Sequence, residues 1–231
     1  MTEGIYLRKI QSFVRRSGRL SKAQSLGLNQ LWGDYGVNID NKILNFDELF
    51  FTKNNITLEV GFGNGDSLLE MAIKQPDQNF LGIEVYEAGV GRIINEANKN
   101  NLRNLRVIKE DAVEVIKNNI PDNSFSRFQL FFPDPWHKKK HHKRRILQSS
   151  FLDLLSAKLK VNGIVHIATD WQNYAEHIMA TLESHPHFKN CSGDHIYSER
   201  PKSRPLTKFE NRGQKLGHGV WDLIFTKIKG G

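Results

Sequence analysis

The feature that most constrains this chain is a regular alternation of apolar strand-like runs with helix-patterned segments from residue 55 onward. The pattern predicts strands at 56–60, 80–85, 105–109, 128–132 and 163–169, and a last strand at 220–227. Between them, residues 67–75, 88–98, 112–117, 146–159 and 171–183 carry apolar side chains at helical spacing, such as Val90, Ile93, Ile94 and Ala97. Ser67-Leu68-Leu69-Glu70 matches a capping box, with Asp66 as a competing cap. Repeated strand–helix units predict an α/β fold with a doubly wound, mostly parallel sheet. Its ligand crevice should lie at the carboxyl ends of the strands. Gly61–Gly65, Glu84, Asp111, Asp134 and Asp170 all fall at such ends.

The first strand runs into Leu58-Glu59-Val60-Gly61-Phe62-Gly63-Asn64-Gly65. Gly61, Gly63 and Gly65 permit positive φ and let a ligand approach the backbone. Glu84 ends the second strand, where a carboxylate suits the two hydroxyls of a ribose. These residues describe a nucleoside cofactor. The dinucleotide fingerprint needs its third glycine one position later, which disfavours NAD. Glu59 at the mouth of the loop favours S-adenosylmethionine, since a carboxylate suits an ammonium and repels a pyrophosphate. Glu110-Asp111-Ala112, after the third strand, is placed to receive an adenine amino group.

The fourth strand ends in Phe131-Phe132-Pro133-Asp134-Pro135-Trp136. Two prolines fix φ and bias the residues before them toward extended backbone, so Asp134 sits on a stiff support. The nine residues from His137 to Arg145 then carry four lysines, two arginines and three histidines. Those six fixed charges account for all but +2 of the formal net charge of +8. Residues 1–22 hold six Lys or Arg against Glu3, a further +5, so the rest of the chain is slightly acidic. Two local basic segments on an acidic body point to a polyanionic partner. The alternative is a proline turn followed by a solvated charged face. If the following helix begins near Lys143, cations lie at its positive end, an unfavourable placement that binding phosphate would explain.

The organisation expected is a basic N-terminal extension over residues 1–50 and one catalytic domain over 51–231. Ile5, Leu7, Ile10, Phe13 and Val14 form a weak apolar stripe, so the arm is either partly helical or a basic tail. A single cysteine, Cys191, excludes an intrachain disulfide and fits a reducing compartment. No apolar run reaches the ~18 residues of a membrane helix and no signal sequence is evident, so a cytoplasmic protein is expected. His137 and His141 are four residues apart, but no further ligand cluster accompanies them and no metal is expected.

LEVGFGNG, GIEVYEAG, EDA, FFPDPWHKKKHHKRR, TDW and RPLTKFENRGQKLGHGVWDL, in that order, resemble the bacterial tRNA (guanine-N7-)-methyltransferases. The likeness spans about Arg8 to Phe225. The most specific parts are PDPW with its basic run and T-x-F-E followed by RG. The resemblance implies the class I methyltransferase form of the Rossmann-like fold, with S-adenosylmethionine as donor and tRNA as partner. It implies donor contacts at Glu59, the glycine loop, Glu84, Asp111 and Asp134, with Asp134 also catalytic. Lys138, Asp170, Thr207, Lys208, Phe209 and Glu210 would hold the target guanosine. Lys140, His141, His142, Lys143, Arg144 and Arg145 would contact the RNA. The implied product is 7-methylguanosine in the tRNA variable loop, and monomer and homodimer both remain open.

The chemistry agrees with that implication. Guanine N7 has a free lone pair and no proton to lose, so methyl transfer needs alignment more than a strong base. A carboxylate at Asp134 could stabilise the positive ring that forms. Asp170 and Glu210 could accept the N1–H and 2-amino donors of guanine, and Trp136, Trp171 or Phe209 could stack the base. Asp170 could equally cap the helix that follows it, Thr207–Glu210 could be a plain loop, and both tryptophans could be core. Two other functions fit less well. Pro133-Asp134-Pro135-Trp136 resembles the loop of N6-adenine methyltransferases but lacks consecutive prolines. A non-catalytic RNA-binding module would have no use for an intact glycine loop with Glu59 and Glu84.

Overall fold

The computed structural model describes residues 12–13, 19–206, 210 and 219–228. The apolar stripe of the N-terminal arm, apart from Phe13, and Thr207, Lys208 and Phe209 lie outside the described residues.

Seven strands form one sheet in the order β3-β2-β1-β4-β5-β7-β6. The parallel part comprises β1 (Ile56–Val60), β2 (Asn79–Ile83), β3 (Leu105–Ile108), β4 (Phe125–Phe131) and β5 (Leu159–Thr169). β7 (Trp221–Lys227) and β6 (Phe188–Asn190) add antiparallel at the β5 edge. Every residue of β1 and β2 is buried, as expected for parallel strands covered on both faces. Alternate residues serve two cores. Leu58, Val60, Leu130 and Ile167 belong to one. Phe80, Leu105, Phe131 and Ala168 belong to the other, against Leu68, Ile93 and Ile94. Between β1 and β4 the chain order reverses. That is the switch point at which such sheets bind their ligands.

The covering helices are α4 (Asp66–Lys74), α5 (Glu87–Lys99), α6 (Ala112–Asn118), α7 (Ser149–Lys158) and α8 (Gln172–Glu183). Three more precede the sheet: α1 (Lys22–Asn29), α2 (Trp32–Tyr35) and α3 (Phe46–Phe50). Residues 22–50, read from sequence as part of an extension, are therefore structured. Val37, Phe46 and Phe50 enter the main core. α1 lies so close on α5 that a Cβ on Gly27 would overlap the Gly91 carbonyl. α1 also carries the capping box that sequence assigned to 67–70: Ser21 caps Gln24 and Gln24 returns the bond. At α4 the cap is Gly65 with no side-chain bond, because Ser67 is already inside the helix and buried.

The basic run is a 3₁₀ helix of its own, Lys139–Arg144, and α7 starts only at Ser149. The expected clash between these cations and the positive end of α7 therefore does not arise.

Candidate active site

The glycine loop closes against the end of β2. Gly61 N donates to Ile83 O at 2.8 Å and Gly65 N to Phe62 O at 2.8 Å. Gly61, Gly63 and Gly65 have φ of +70°, +57° and +77°, which a side chain would strain. Glu84 fastens the two strand ends together. Its Oε2 accepts from Gly63 N at 2.8 Å, and its Oε1 from Val85 N and Tyr86 N at 2.7 and 2.9 Å. Oε1 has both of its acceptor sites filled, and Oε2 keeps one for a ligand. The loop thus presents a fixed, acceptor-rich edge to a cavity of about 450 Å³.

Glu59 lies at the floor of that cavity, on the strand face opposite Leu58. It is 2 % exposed, and its Oε2 is buried with no hydrogen-bond partner. Burial, and secondarily the charge of Glu84, push its carboxyl up to about 8. A buried carboxylate without a cation is costly, and a ligand ammonium at this point would remove the cost. The arrangement fits a nucleoside donor with a cationic amino-acid tail. Ser67 also lines the cavity, its Oγ buried without a partner. In the sequence this serine, the second residue of α4, read only as a helix cap.

Asp134 and Asp170 reach the same cavity from the ends of β4 and β5 and are exposed there. The Asp134 loop is held at both sides. Phe132 and Trp136, at φ +52° and +47°, flank Pro133-Asp134-Pro135 in left-handed backbone. That conformation costs a large side chain about 1–2 kcal/mol, so the surroundings must impose it. Phe132 N donates to Ala168 O at 2.7 Å, and Trp136 Nε1 to Ser12 O at 3.2 Å. Arg144 stacks 3.7 Å over the Trp136 ring and donates to Phe13 O. Arg145, expected to contact RNA, turns inward instead. It is 2 % exposed. Its Nε donates to Pro135 O at 2.9 Å and one Nη to Asn173 Oδ1 at 2.8 Å, over the Tyr174 ring.

The other predicted residues divide clearly. Lys138, Lys140 and Lys143 are exposed, while His141, His142 and Arg144 are half-buried. Asp170 does not cap α8: the cap position is Trp171, whose N–H bonds Thr169 Oγ1. Trp171 itself is 39 % exposed with its ring edge-on to His137 at 4.2 Å, and so is not core. Asp111 is the cap of α6, accepting from Val113 N at 3.0 Å. Glu110 and Ala112 line the large cavity; Asp111 lines a smaller one of about 200 Å³ beside Lys143–Arg145. Glu210 is 2 % exposed, and both its oxygens accept from Arg204 at 2.7 and 2.8 Å. Sequence reasoning missed Arg204 and its partners Asp222 and His166. The available signals were a lone histidine in the apolar strand Gly163–Thr169 and the place of Arg204 and Asp222 within the run RPLTKFENRGQKLGHGVWDL, which gave neither a role. Among the described residues no group of His, Cys, Asp or Glu could hold a metal ion. No helix among them is long and apolar enough to cross a membrane.

Residues 53–223 match a family model described as "Putative methyltransferase". The chain is 52 % identical over 227 residues to the tRNA (guanine-N(7)-)-methyltransferase of Shewanella amazonensis, covering 98 % of this chain and 95 % of the relative. It is 52 % identical over 223 residues to the enzyme of the same name from Psychromonas ingrahamii, covering 96 % and 91 %. Among solved structures, the 16S rRNA methyltransferase KamB superposes with a TM-score of 0.60 over 80 % of this chain and 93 % of that one. At 16 % identity that likeness shows the fold alone.

Proposed function

The chain belongs to the tRNA (guanine-N7-)-methyltransferase family, and from that premise we propose how its residues divide the reaction. It transfers a methyl group from S-adenosylmethionine to N7 of a guanosine in tRNA. We place that guanosine in the variable loop and the enzyme in the cytoplasm. The donor supplies an electrophilic methyl on a sulfonium. Glu59 takes its ammonium and Glu84 its ribose hydroxyls, while Gly61–Gly65 lets it lie against the backbone. Glu110, on the cavity wall, is better placed than Asp111 for the adenine amino group.

On the acceptor side, the work of the protein is alignment. N7 attacks with a lone pair, so no residue must remove a proton first. Asp134 stands where positive charge develops on the ring, and a carboxylate already fixed in place stabilises it without reorganising. Asp170 accepts from the Watson–Crick edge, Lys138 steadies the nucleotide, and the exposed face of Trp171 offers a stacking surface. Lys140 and Lys143 meet phosphate. Arg145 holds the Pro135 end of the loop and is not assigned to RNA.

The observation that carries this reading is the meeting of Glu59, Glu84, Asp134 and Asp170 around one cavity. A transfer assay with labelled donor and undermodified tRNA, followed by nucleoside chromatography, tests it. Label in 7-methylguanosine is expected. Label in N6-methyladenosine, or none, would overturn it.

A further inference from the structure

Arg204 is a large, fully buried side chain, 1 % exposed, outside the cavity. Its guanidinium makes two forked pairs. Nε and one Nη donate to the two oxygens of Asp222, each at 2.8 Å. Both Nη groups donate to the two oxygens of Glu210, at 2.7 and 2.8 Å. Asp222 also accepts from His166 Nε2 at 2.7 Å. Burial keeps His166 below its ordinary range despite that bond, so it serves as a neutral donor. The group ties β5 to β7, and each bond is charge-assisted or buried.

Two neighbours of this hub belong to the site. The guanidinium lies 5.8 Å from the ring centroids of both Phe131 and Phe132, the two residues before Pro133-Asp134. Phe131 also meets His166 edge-on at 5.0 Å. Glu210 is the last residue of Thr207-Lys208-Phe209-Glu210. Arg204 itself is held by a turn, its N–H on Pro201 O and its carbonyl accepting from Arg200.

We propose that Arg204 is a positioning residue of the acceptor side. It anchors Glu210 and Asp222 beneath the strand end that carries Asp134. Glu210 is then a latch and does not read the guanine edge. Both its oxygens face Arg204, and it does not line the cavity. This rests on the proposed tRNA guanine-N7 reaction, whose own control is 7-methylguanosine formation by the unmodified enzyme.

The test compares Arg204→Lys and Glu210→Gln with the unmodified enzyme. Each acts on tRNA with guanosine, and on tRNA with inosine, at the target position. Arg204→Lys keeps the charge but loses the fork; Glu210→Gln keeps the shape. Both should lower kcat/KM for guanosine tRNA about tenfold or more, with donor affinity within about twofold. The ratio of guanosine to inosine rates should stay at its unmodified value. If Glu210→Gln instead brings that ratio toward one, Glu210 reads the base and the latch is wrong. If both variants keep kcat/KM for tRNA within about twofold, Arg204 positions nothing. Should Arg204→Lys fail to fold, Glu210→Gln decides between these outcomes alone. Failure of the unmodified enzyme to make 7-methylguanosine would strike the parent reading and not the latch.

Discussion

On the β1–β2 side of the cavity, Glu84 is held by three backbone N–H groups from residues next to it in space and mostly in sequence. On the β5–β7 side, Asp222 and Glu210 share the side chain of Arg204, and His166 also donates to Asp222. The donor side is built from backbone geometry, and the buried, unpartnered carboxyl of Glu59 is left for the ligand. The acceptor side is built from side-chain bonds, many of them between segments far apart in the chain. Arg144 on Phe13 and Trp136 on Ser12 are of that kind. A backbone-built site admits one shape of ligand. A site built from long side chains can be adjusted to a large and irregular partner such as RNA.

The sharpest break between the two sides comes from the substrate. Replacing the target guanosine with 7-deazaguanosine removes the N7 lone pair but keeps the Watson–Crick donors. Methyl incorporation at that position should be abolished, while the RNA still competes with ordinary tRNA in binding. Any incorporation there would show that another atom is attacked.

Next in size is Asp134→Asn. It should lower the single-turnover rate by about 10²–10³-fold, the usual loss for one fixed electrostatic stabiliser. Affinity for donor and tRNA should hardly move. A near-normal rate would take Asp134 out of the chemistry.

The same division explains what the sequence disclosed. The glycine loop, the strand-end Glu84 and the Pro-bracketed Asp134 stand out as short motifs, although contacts from Ala168, Ser12 and Arg145 complete the hold on the Asp134 loop. Asp111 shows the limit of that method. Which of Glu110 and Asp111 faces the cavity depends on the cap that Asp111 makes to α6, and adjacent acids look alike in a sequence. α1 was not legible because its helix has a glycine, Gly27, where it packs against Gly91; glycine normally argues against a helix interior. β6 has only three residues and exists through its pairing with β7. Arg204 reads as one more cation in a polar loop. Only the folded chain shows that its partners lie in Asp222 and Glu210.

Within the basic run, Arg145 and the exposed lysines should behave differently. Lys140→Ala with Lys143→Ala should flatten the salt dependence of tRNA binding, by about 0.7–0.9 in slope for each phosphate no longer neutralised. At moderate salt this is expected to weaken tRNA affinity roughly tenfold. Donor affinity and single-turnover rate at saturating tRNA should persist. Arg145→Gln should leave the salt slope alone and slow turnover, because its bonds to Pro135 and Asn173 steady the Asp134 loop. An unchanged slope in the lysine pair would make the run a solvated face. A reduced slope in Arg145→Gln would return that residue to the RNA.

The effect most specific to the donor side concerns pH. Glu59 is pushed from 4.5 up to about 8 in the free protein, by burial first and the charge of Glu84 second. A group whose pKa rises on folding stabilises the fold fully below its unfolded value. That contribution fades as pH climbs from 4.5 and is lost once pH passes about 8. Glu59→Gln, which stays neutral, should therefore match the parent in melting temperature at pH 5 and exceed it at pH 8.5. Donor binding runs the other way. An ammonium needs the carboxylate, so below pH 8 the free protein must release a proton to bind. Affinity should fall by up to about tenfold per pH unit between 8 and 6. The donor's own amine titrates in both proteins, so the difference between parent and Glu59→Gln isolates the carboxyl. Calorimetry in buffers of different ionisation enthalpy should show a proton released from the parent at pH 7 and none attributable to the variant. Parallel pH profiles for the two proteins would mean that Glu59 is already paired before the donor arrives, and the backbone-built side would then have no charge waiting for its ligand.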